Sequence, residues 1–200
     1  MQNRVYLSPQ QAQIGHLAAQ LLRESGLEIA PARAAAVQQL GLRRSAHGPP
    51  LAAVLAEAQS QQRLFEPQAA AQLLGLRRLA LRWMQQLAAF APLLQGNVYL
   101  GVGNARSSIY LHVYADSSKE VEIFLINQAI AYDTPDSGER EDCPLLRCMD
   151  AAEHIHQAVP IYLQLHDAAA RQGALRKVLE AGSSQRLYAD SAALLAIMQT

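Results

Sequence analysis

The sequence predicts an α+β protein in which a helical region, residues 1–94, is followed by a small mixed sheet with flanking helices, residues 95–200. The first ninety residues are rich in Ala, Leu and Gln and contain almost no β-branched residues. After Gln95 the chain changes to short segments rich in Val, Ile, Tyr and Leu that alternate as strands do. With 200 residues, 50% of them hydrophobic, the chain is long enough to bury a substantial core.

Four helices are predicted in the helical region. Ser8 is a suitable N-cap for the first, which covers residues 9–26 and has the favoured proline at its start and glycine at its end. The second covers about residues 31–40. Two more are predicted over residues 51–64 and 67–94, the last because its apolar residues keep helical spacing.

The sequence of residues 95–200 predicts the element order strand, strand, helix, hairpin, helices. Four segments have the composition and alternation of strands, namely residues 97–102, 108–114, 145–156 and 159–167. Because a tight turn separates the last two, we expect them to form a hairpin. Helices are predicted over residues 116–128, 174–182 and 190–198.

The stretch GVGNARSSIYLHVYAD, residues 101–116, begins with a loop of the kind that holds phosphate groups. Glycine lets backbone N–H groups approach a phosphate closely, and arginine binds phosphate through charge-assisted hydrogen bonds. The candidate ligand-binding residues are Gly101, Gly103, Asn104, Arg106 and Ser107. A turn that only closes a hairpin explains the same residues, so both interpretations stay open.

The strand in this stretch has two chemically different faces. Side chains alternate across a strand, so one face is apolar and the other carries hydroxyl and imidazole groups. The polar face consists of Ser108, Tyr110 and His112, and the apolar face consists of Ile109, Leu111 and Val113. The apolar face is expected to lie on the core.

A strand that leads to Gly101, a second strand from Ser108 and a third strand later in the chain resemble the nucleotidyltransferase fold of the polymerase-β type. The chain is also similar to a group of bacterial proteins of unassigned function that join a helical region to such a unit. The resemblance covers roughly residues 66–167. It implies a glycine followed by Ser or Thr, two acids at i and i+2 on the second strand, and a third acid on a later strand. Such acids hold two Mg²⁺ ions for nucleotidyl transfer.

Transferred residue by residue, the resemblance puts neutral side chains at every metal position. The first acid falls on Ser108 and the second on Tyr110, while the third falls on Tyr162 or Gln164. The family's glycine falls on Gly101, and its hydroxyl residue is replaced by valine at the next position. Because Ser and Tyr are neutral at pH 7, the resemblance implies a degenerate, non-catalytic protein that needs no cofactor or metal and binds a nucleotide or another protein.

An active enzyme is the first alternative to this interpretation. Its metal-binding carboxylates would be displaced from the family's positions, and the candidates are Asp116, Asp150 and Asp167. This alternative alone requires Mg²⁺. It predicts that two of these acids lie close together beside Gly101.

A helical nucleic-acid-binding or adaptor protein is the second alternative. Residues 1–92 hold nine Arg and four Glu, a balance of +5, whereas residues 93–200 hold eight basic and thirteen acidic residues, a balance of −5. The stretch GLEIAPARAAAVQQLGL, residues 26–42, joins two short helices by a tight turn, as in a helix-turn-helix. A thin basic face is formed by Arg33, Gln38 and Gln39 of its second helix together with Arg43 and Arg44, which follow that helix. Two packed helices of a bundle explain the same pattern.

Two further groups of residues contain side chains of the kinds that bind metal ions. His154, His156 and Asp150 have the same strand parity and, with His112 or His166, offer zinc ligands. Alternating histidines on an exposed strand are also common without a metal. The two cysteines, Cys143 and Cys148, are predicted to be reduced thiols with a structural role, because they point to opposite faces of an extended segment.

Other function classes lack their sequence signatures. The loop GVGNAR has no third glycine of a dinucleotide fingerprint and no Lys-Ser or Lys-Thr of a P-loop. No nucleophile elbow is present. The sequence shows no secretion signal and no long uncharged apolar run, so a cytoplasmic protein without a membrane partner is predicted.

Overall fold

A computed structural model describes residues 7–43, 48–135 and 143–199. It confirms the α+β class, with helices first and a six-stranded mixed sheet after them. The helices that precede the sheet are α1 (Pro9–Ser25), α2 (Ile29–Gln39), α3 (Leu51–Phe65) and α4 (Ala69–Gln86). Within the described residues, no helix combines the length and the apolar character that crossing a membrane requires.

The sheet has the strand order β3-β4-β5-β2-β1-β6. Its strands are β1 (Leu93–Gln95), β2 (Ile109–Ala115), β3 (Tyr132–Asp133), β4 (Leu145–Asp150), β5 (Val159–Asp167) and β6 (Tyr188–Ala189). The central pair, β2 and β5, is parallel, and the other neighbours are antiparallel. The remaining helices are α5 (Asn97–Leu100), α6 (Ser118–Asn127), α7 (Arg171–Arg176) and α8 (Ser191–Met198).

The ends of α1 follow the predicted capping chemistry. The Ser8 hydroxyl accepts a hydrogen bond from the Gln11 N–H, and the Gln11 side chain accepts one from the Ser8 N–H. At the other end Gly26 has a φ of +66°, and its N–H donates to the Leu22 carbonyl at 3.1 Å. The same glycine lies against the backbone of Arg106, so this turn also touches the segment before β2.

Two large hydrophobic cores hold most of the buried apolar side chains among the described residues, and a small third cluster consists of Leu93, Tyr114 and Ala174. The larger core lies between one face of the sheet and the helices α4, α6 and α8. It includes Leu76, Trp83, Leu111, Leu125, Ile161, Leu163 and Leu194. The second core lies among α1, α2 and α3, and the chain that follows β1 contributes Leu100 and Val102 to it. The segment between β1 and β2 therefore joins the helical region to the sheet.

The prediction of a strand over residues 97–102 is wrong. The first strand is β1, and the chain then forms the one-turn helix α5 between Gly96 and Gly101, whose φ angles are +89° and +84°. Two positive φ angles interrupt an extended chain, and the Leu100 N–H donates to the Gly96 carbonyl at 3.0 Å instead of to a strand. The predicted helix over residues 67–94 likewise ends at Gln86, before a short 3₁₀ turn and β1.

The predicted strand over residues 145–156 is too long by six residues. β4 ends at Asp150, whose side chain accepts a hydrogen bond from the Ala151 N–H at 2.7 Å. The chain then turns, His154 has a φ of +62°, and the Glu153 carbonyl packs so closely on Gly75 of α4 that only glycine fits there. The predicted helix over residues 174–182 is also wrong beyond Arg176, where α7 ends.

Other predictions for the second half are confirmed. β4 and β5 form the expected antiparallel hairpin, and the helix after β2 is present with Ser117 as its N-cap. Ile109, Leu111 and Val113 are completely buried in the larger core. The alternation of β2 thus correctly identified its core face. The two-residue strands β3 and β6 were not predicted, because two residues carry no periodic signal.

Removing the side chain of Leu111 should destabilise the protein strongly. Leu111 is 0% exposed in a central strand, so Leu111→Ala leaves a cavity and is expected to cost about 2–5 kcal/mol of unfolding free energy. Ile123→Ala is the matched control, because Ile123 is 56% exposed on α6 and its truncation is expected to change stability by less than about 0.5 kcal/mol. Urea denaturation measures both. Equal effects of the two substitutions would contradict the described core.

Candidate functional site

The predicted phosphate loop lies between α5 and β2 and is packed against the helical region. Asn104 and Ser107 are 2% and 1% exposed. The Asn104 side-chain amide donates to the Arg23 carbonyl at 2.9 Å and to the Glu66 carboxylate at 3.3 Å. Asn104 and Ser107 also bind each other through the Asn104 N–H and the Ser107 hydroxyl, at 3.0 Å. These two residues therefore tie the end of α1 to the start of β2.

Most backbone N–H groups of this loop already have acceptors within the protein. The N–H of Val102 donates to Asn97, that of Ala105 to the Gln72 side chain, that of Arg106 to the Asn104 side chain, and that of Ser107 to the Asn104 carbonyl. A phosphate would have to replace these bonds. Gly103 is enclosed by apolar side chains of α4 and α5, and Arg106 is exposed. Nucleotide binding by the five candidate residues stays a prediction.

Gly96 is the glycine that directly follows the first strand. The resemblance puts the family's glycine at Gly101, because the first strand is expected to end there, but β1 ends at Gln95. A Cβ atom on Gly96 would lie 2.4 Å from Oε2 of Glu28, so the Glu28 carboxyl group fills the space that this glycine leaves open. The same oxygen accepts a hydrogen bond from the N–H of Asn97, the first residue of α5, at 2.9 Å.

The Glu28 carboxyl group is poorly solvated. Burial raises its pKa to about 7, although the hydrogen bond from the Asn97 N–H acts in the opposite direction. Its second oxygen, Oε1, and the side-chain oxygen of Asn97 are both buried without a hydrogen-bond partner among the described residues. The Asn97 side-chain amide donates to the Leu27 carbonyl at 2.8 Å. A buried carboxyl group with an unfilled acceptor is destabilised when it is ionised.

The residues onto which the resemblance maps the family's metal-binding acids lie on one face of the sheet. Ser108 directly precedes β2, and Tyr110 is paired in register with Tyr162 of β5, while Gln164 pairs with His112. The Tyr110 and Tyr162 rings are stacked, with centroids 5.0 Å apart. Burial, together with the negative charge of Glu28, raises the pKa of Tyr110 to about 12, so its hydroxyl group is neutral at pH 7.

The three displaced acids are not brought together beside Gly101. Asp150 pairs with Val159 at the start of β5, whereas Asp167 lies at the end of the same strand. Asp116 follows the end of β2, which is parallel to β5, so Asp116 and Asp167 lie at the end of the sheet away from Ser108. Asp150 accepts hydrogen bonds from Trp83 and Arg82, each at 2.8 Å. Its carboxylate is thus already paired.

The predicted zinc ligands are also separated. His154 and His156 lie in the turn after β4 and not on a strand face. Among the described residues there is no group of three or more His, Cys, Asp or Glu side chains that could hold a metal ion. His112 and His166 do meet, on the neighbouring strands β2 and β5, but their ring nitrogens bind each other at 2.8 Å.

A chain of polar contacts around these two histidines was missed by the sequence analysis. Nε2 of His112 lies 2.5 Å from Oε1 of Gln95, and Nδ1 of His166 lies 3.8 Å from Sγ of Cys143. The rings of Tyr114 and Tyr188 pack on the histidines. Strand parity could have placed each histidine on the polar face. Their contact depends on the parallel register of β2 and β5, for which the sequence contains no local signal.

Within the basic face predicted for the second helix, the central residue Arg33 already has partners inside the protein. Arg33 forms an ion pair with Glu180 at 3.0 Å and donates to the Pro49 carbonyl. Gln38, Gln39 and Arg43 are exposed, and Arg44 lies outside the described residues. The opposite charges of the two halves of the chain thus meet in at least one direct contact, which the attraction between a basic and an acidic half favours.

Comparisons with other proteins add no relative. Neither the protein-family models, nor the curated proteins, nor the solved structures give a significant match to this chain. The interpretation of the site therefore rests on the residues and contacts of this chain.

Substituting Glu28 by glutamine should change how stability depends on pH. The folded-state pKa of Glu28 is raised from 4.5 to about 7, so the unfolding free energy of the protein falls as the pH rises from about 4.5 to 7. Glu28→Gln keeps an acceptor for the Asn97 N–H and removes the titration. The stability of the variant relative to the wild type should be greater at pH 8 than at pH 5 by up to about 3 kcal/mol.

Urea denaturation at the two pH values measures this difference. Glu120→Gln is the matched control, because Glu120 is exposed on α6 and its substitution should have the same small effect at both pH values. A stability difference between Glu28→Gln and the wild type that does not change with pH would contradict a raised pKa for Glu28.

Proposed function

We propose that this protein is a degenerate nucleotidyltransferase-like protein that acts by binding another protein and not by catalysis. The order strand, glycine, short helix, strand over residues 93–115 supports the resemblance, as does the later strand β5 beside β2. The observation on which the proposal depends is the charge of the side chains at the positions of the family's metal ligands. The residues in register at the metal positions are neutral, and the stacked pair Tyr110 and Tyr162 fills the centre of that face.

Two-metal catalysis requires negative charge that this face lacks. Mg²⁺ binds carboxylate and other hard oxygen ligands, and two ions about 4 Å apart need several carboxylates to hold them. Ser108, Tyr110, Tyr162 and Gln164 supply no negative charge at pH 7. The raised pKa of Tyr110 favours its neutral form further.

The space beside Gly96 favours a protein partner over a nucleotide. A nucleotide of this family would place a phosphate against the glycine and the first N–H groups of the short helix. Oε2 of Glu28 already occupies that space and accepts the Asn97 N–H. A phosphate would collide with this oxygen, and in the ionised form of Glu28 the two negative charges would also repel each other.

Exposed apolar side chains support a protein as the ligand. Ile123 and Ile126 of α6 are 56% and 63% exposed, and we call these two residues the α6 patch. They lie three residues apart and therefore share one side of the helix. Leu64 and Phe65 at the end of α3 are also exposed. Clustered exposed apolar side chains are typical of surfaces that bind other proteins.

The purified protein should neither transfer nucleotides nor be stabilised by them. We expect no Mg²⁺- or Mn²⁺-dependent transfer from labelled nucleoside triphosphates, and no rise in melting temperature when each nucleotide is added with or without the metal. Binding to the folded state would raise the melting temperature. Metal-dependent transfer that is lost in the variants Ser108→Ala or Tyr110→Phe would overturn the proposal.

The α6 patch should contact the partner protein in cells. A photoreactive benzoyl-phenylalanine replacing Ile126 is expected to give a discrete cross-linked product with a second protein on illumination. The same residue replacing Gln128, an exposed polar neighbour on the chain, is the control and should give no such product. The same products from both positions would show non-specific capture and contradict this surface as the binding site.

A further inference from the structure

A row of hydrogen-bonded polar side chains crosses the polar face of the sheet and ends at the half-exposed thiol of Cys143. Gln95 of β1 contacts His112 of β2, His112 contacts His166 of β5, and His166 contacts Cys143 just before β4. The three distances are 2.5 Å, 2.8 Å and 3.8 Å. The last is within hydrogen-bonding reach of a sulfur atom. None of these four residues takes part in the function proposed above.

The contacts determine which histidine nitrogens carry hydrogen. Oε1 of Gln95 can only accept a hydrogen bond, so Nε2 of His112 carries the hydrogen and Nδ1 of His112 is an acceptor. Nε2 of His166 therefore donates to Nδ1 of His112. In a neutral ring this leaves Nδ1 of His166 without a hydrogen, facing the Cys143 thiol.

The surroundings keep both imidazole rings neutral. Burial lowers the pKa of His112 to about 3, and the pKa of His166 is also lowered by burial. The positive charge of Lys177 acts in the same direction on both. The other titratable groups packed on the pair are Tyr114 and Tyr188, whose pKa values are raised by burial, so they are uncharged at pH 7.

We propose that Cys143 is a nucleophilic thiol that exchanges with the disulfides of small thiols, with His166 as its general base. His112 and Gln95 are positioning residues, because they orient the His166 ring and fix the position of its hydrogen. The geometry is that of a nucleophile within reach of a base that a third group holds in place. The second cysteine, Cys148, is 1% exposed and faces the larger core, so it is not available for the same chemistry.

The exchange step is balanced without any further reactant. Nδ1 of His166 takes the proton from Sγ of Cys143 as the sulfur attacks one sulfur of the disulfide. A new S–S bond forms to Cys143 and the original S–S bond breaks. The leaving thiolate then takes the proton from His166. The products are a mixed disulfide on Cys143 and one free small thiol.

A disulfide fits this site better than an acyl substrate does. Acyl transfer needs hydrogen-bond donors for the oxyanion that forms at the carbonyl group. A disulfide develops no oxyanion and carries its own leaving group, so a thiol and a base are sufficient. Cys143 lies just before β4, the neighbour of the edge strand β3, and is half-buried and not enclosed in a core.

The reaction of the folded protein with dithiobis-nitrobenzoate, an aromatic disulfide, tests this proposal. At pH 7 we expect one thiol per chain to react, on the order of tenfold or more faster than the same thiol in urea. Cys143→Ser should abolish the fast reaction, and Cys148→Ser should leave it unchanged. Oxidised glutathione should form a mixed disulfide at Cys143, which mass spectrometry detects.

His166→Gln should slow the reaction to the rate of the unfolded chain and change its pH dependence. Without the base, the rate should rise steadily with pH in proportion to the fraction of thiolate, because the thiolate is then the attacking species. The wild-type rate should be flatter between about pH 6 and 8, because the neutral base is present throughout. His112→Phe, which removes the acceptor for Nε2 of His166, should shift the profile toward that of His166→Gln.

Two controls keep these variants interpretable. His156→Gln changes an exposed histidine in the turn after β4 and should leave the rate unchanged. Cys148 reports on folding, because it becomes reactive only when the core opens. The proposal is overturned if Cys143 in the folded protein reacts no faster than in urea, or if His166→Gln with Cys148 still protected retains the wild-type rate and pH profile.

Discussion

The hydrogen bond between the Glu28 carboxyl group and the Asn97 N–H attaches the helical region to the segment that leads from β1 to β2. This bond satisfies the first amide of α5 and is possible only because Gly96 has no side chain. It fixes the direction of α5, and α5 in turn directs Leu100 and Val102 into the core formed by the first three helices. A close contact between a glycine and a carboxyl group thus helps to connect the core of the first three helices to the larger core.

The same contact explains why neutral residues occupy the centre of the polar face. The negative charge of Glu28 acts on the hydroxyl group of Tyr110 and helps to raise its pKa. A carboxylate at position 110 would add a second negative charge beside a poorly solvated one, and without a metal ion that pair would be strongly destabilising. A tyrosine stacked on Tyr162 avoids this repulsion and also buries aromatic surface. The neutral residues on this face and the attachment of the helices are therefore compatible consequences of one arrangement.

The fold class and the faces of β2 could be predicted because both depend on local signals. Composition distinguishes the helical region, and the two-residue period identified Leu111 as a core residue. The residues after β1 were misassigned, because apolar residues at every second position also suit a single helical turn between two glycines with positive φ. The contact of His112 with His166 could not be predicted, since it is set by the parallel register of strands separated by about fifty residues of chain.

The two ends of the polar face differ in how they use buried polar groups. At the Glu28 end, two buried oxygens lack partners within the described residues, so the group there is under electrostatic strain and serves structure. At the Cys143 end each histidine has a partner on both ring nitrogens, and the order of donors and acceptors has one consistent direction. Holding a neutral imidazole ring next to a half-exposed thiol costs little folding free energy, because no ion is buried until the proton moves. Chemistry at this end therefore does not depend on whether the other end binds a ligand.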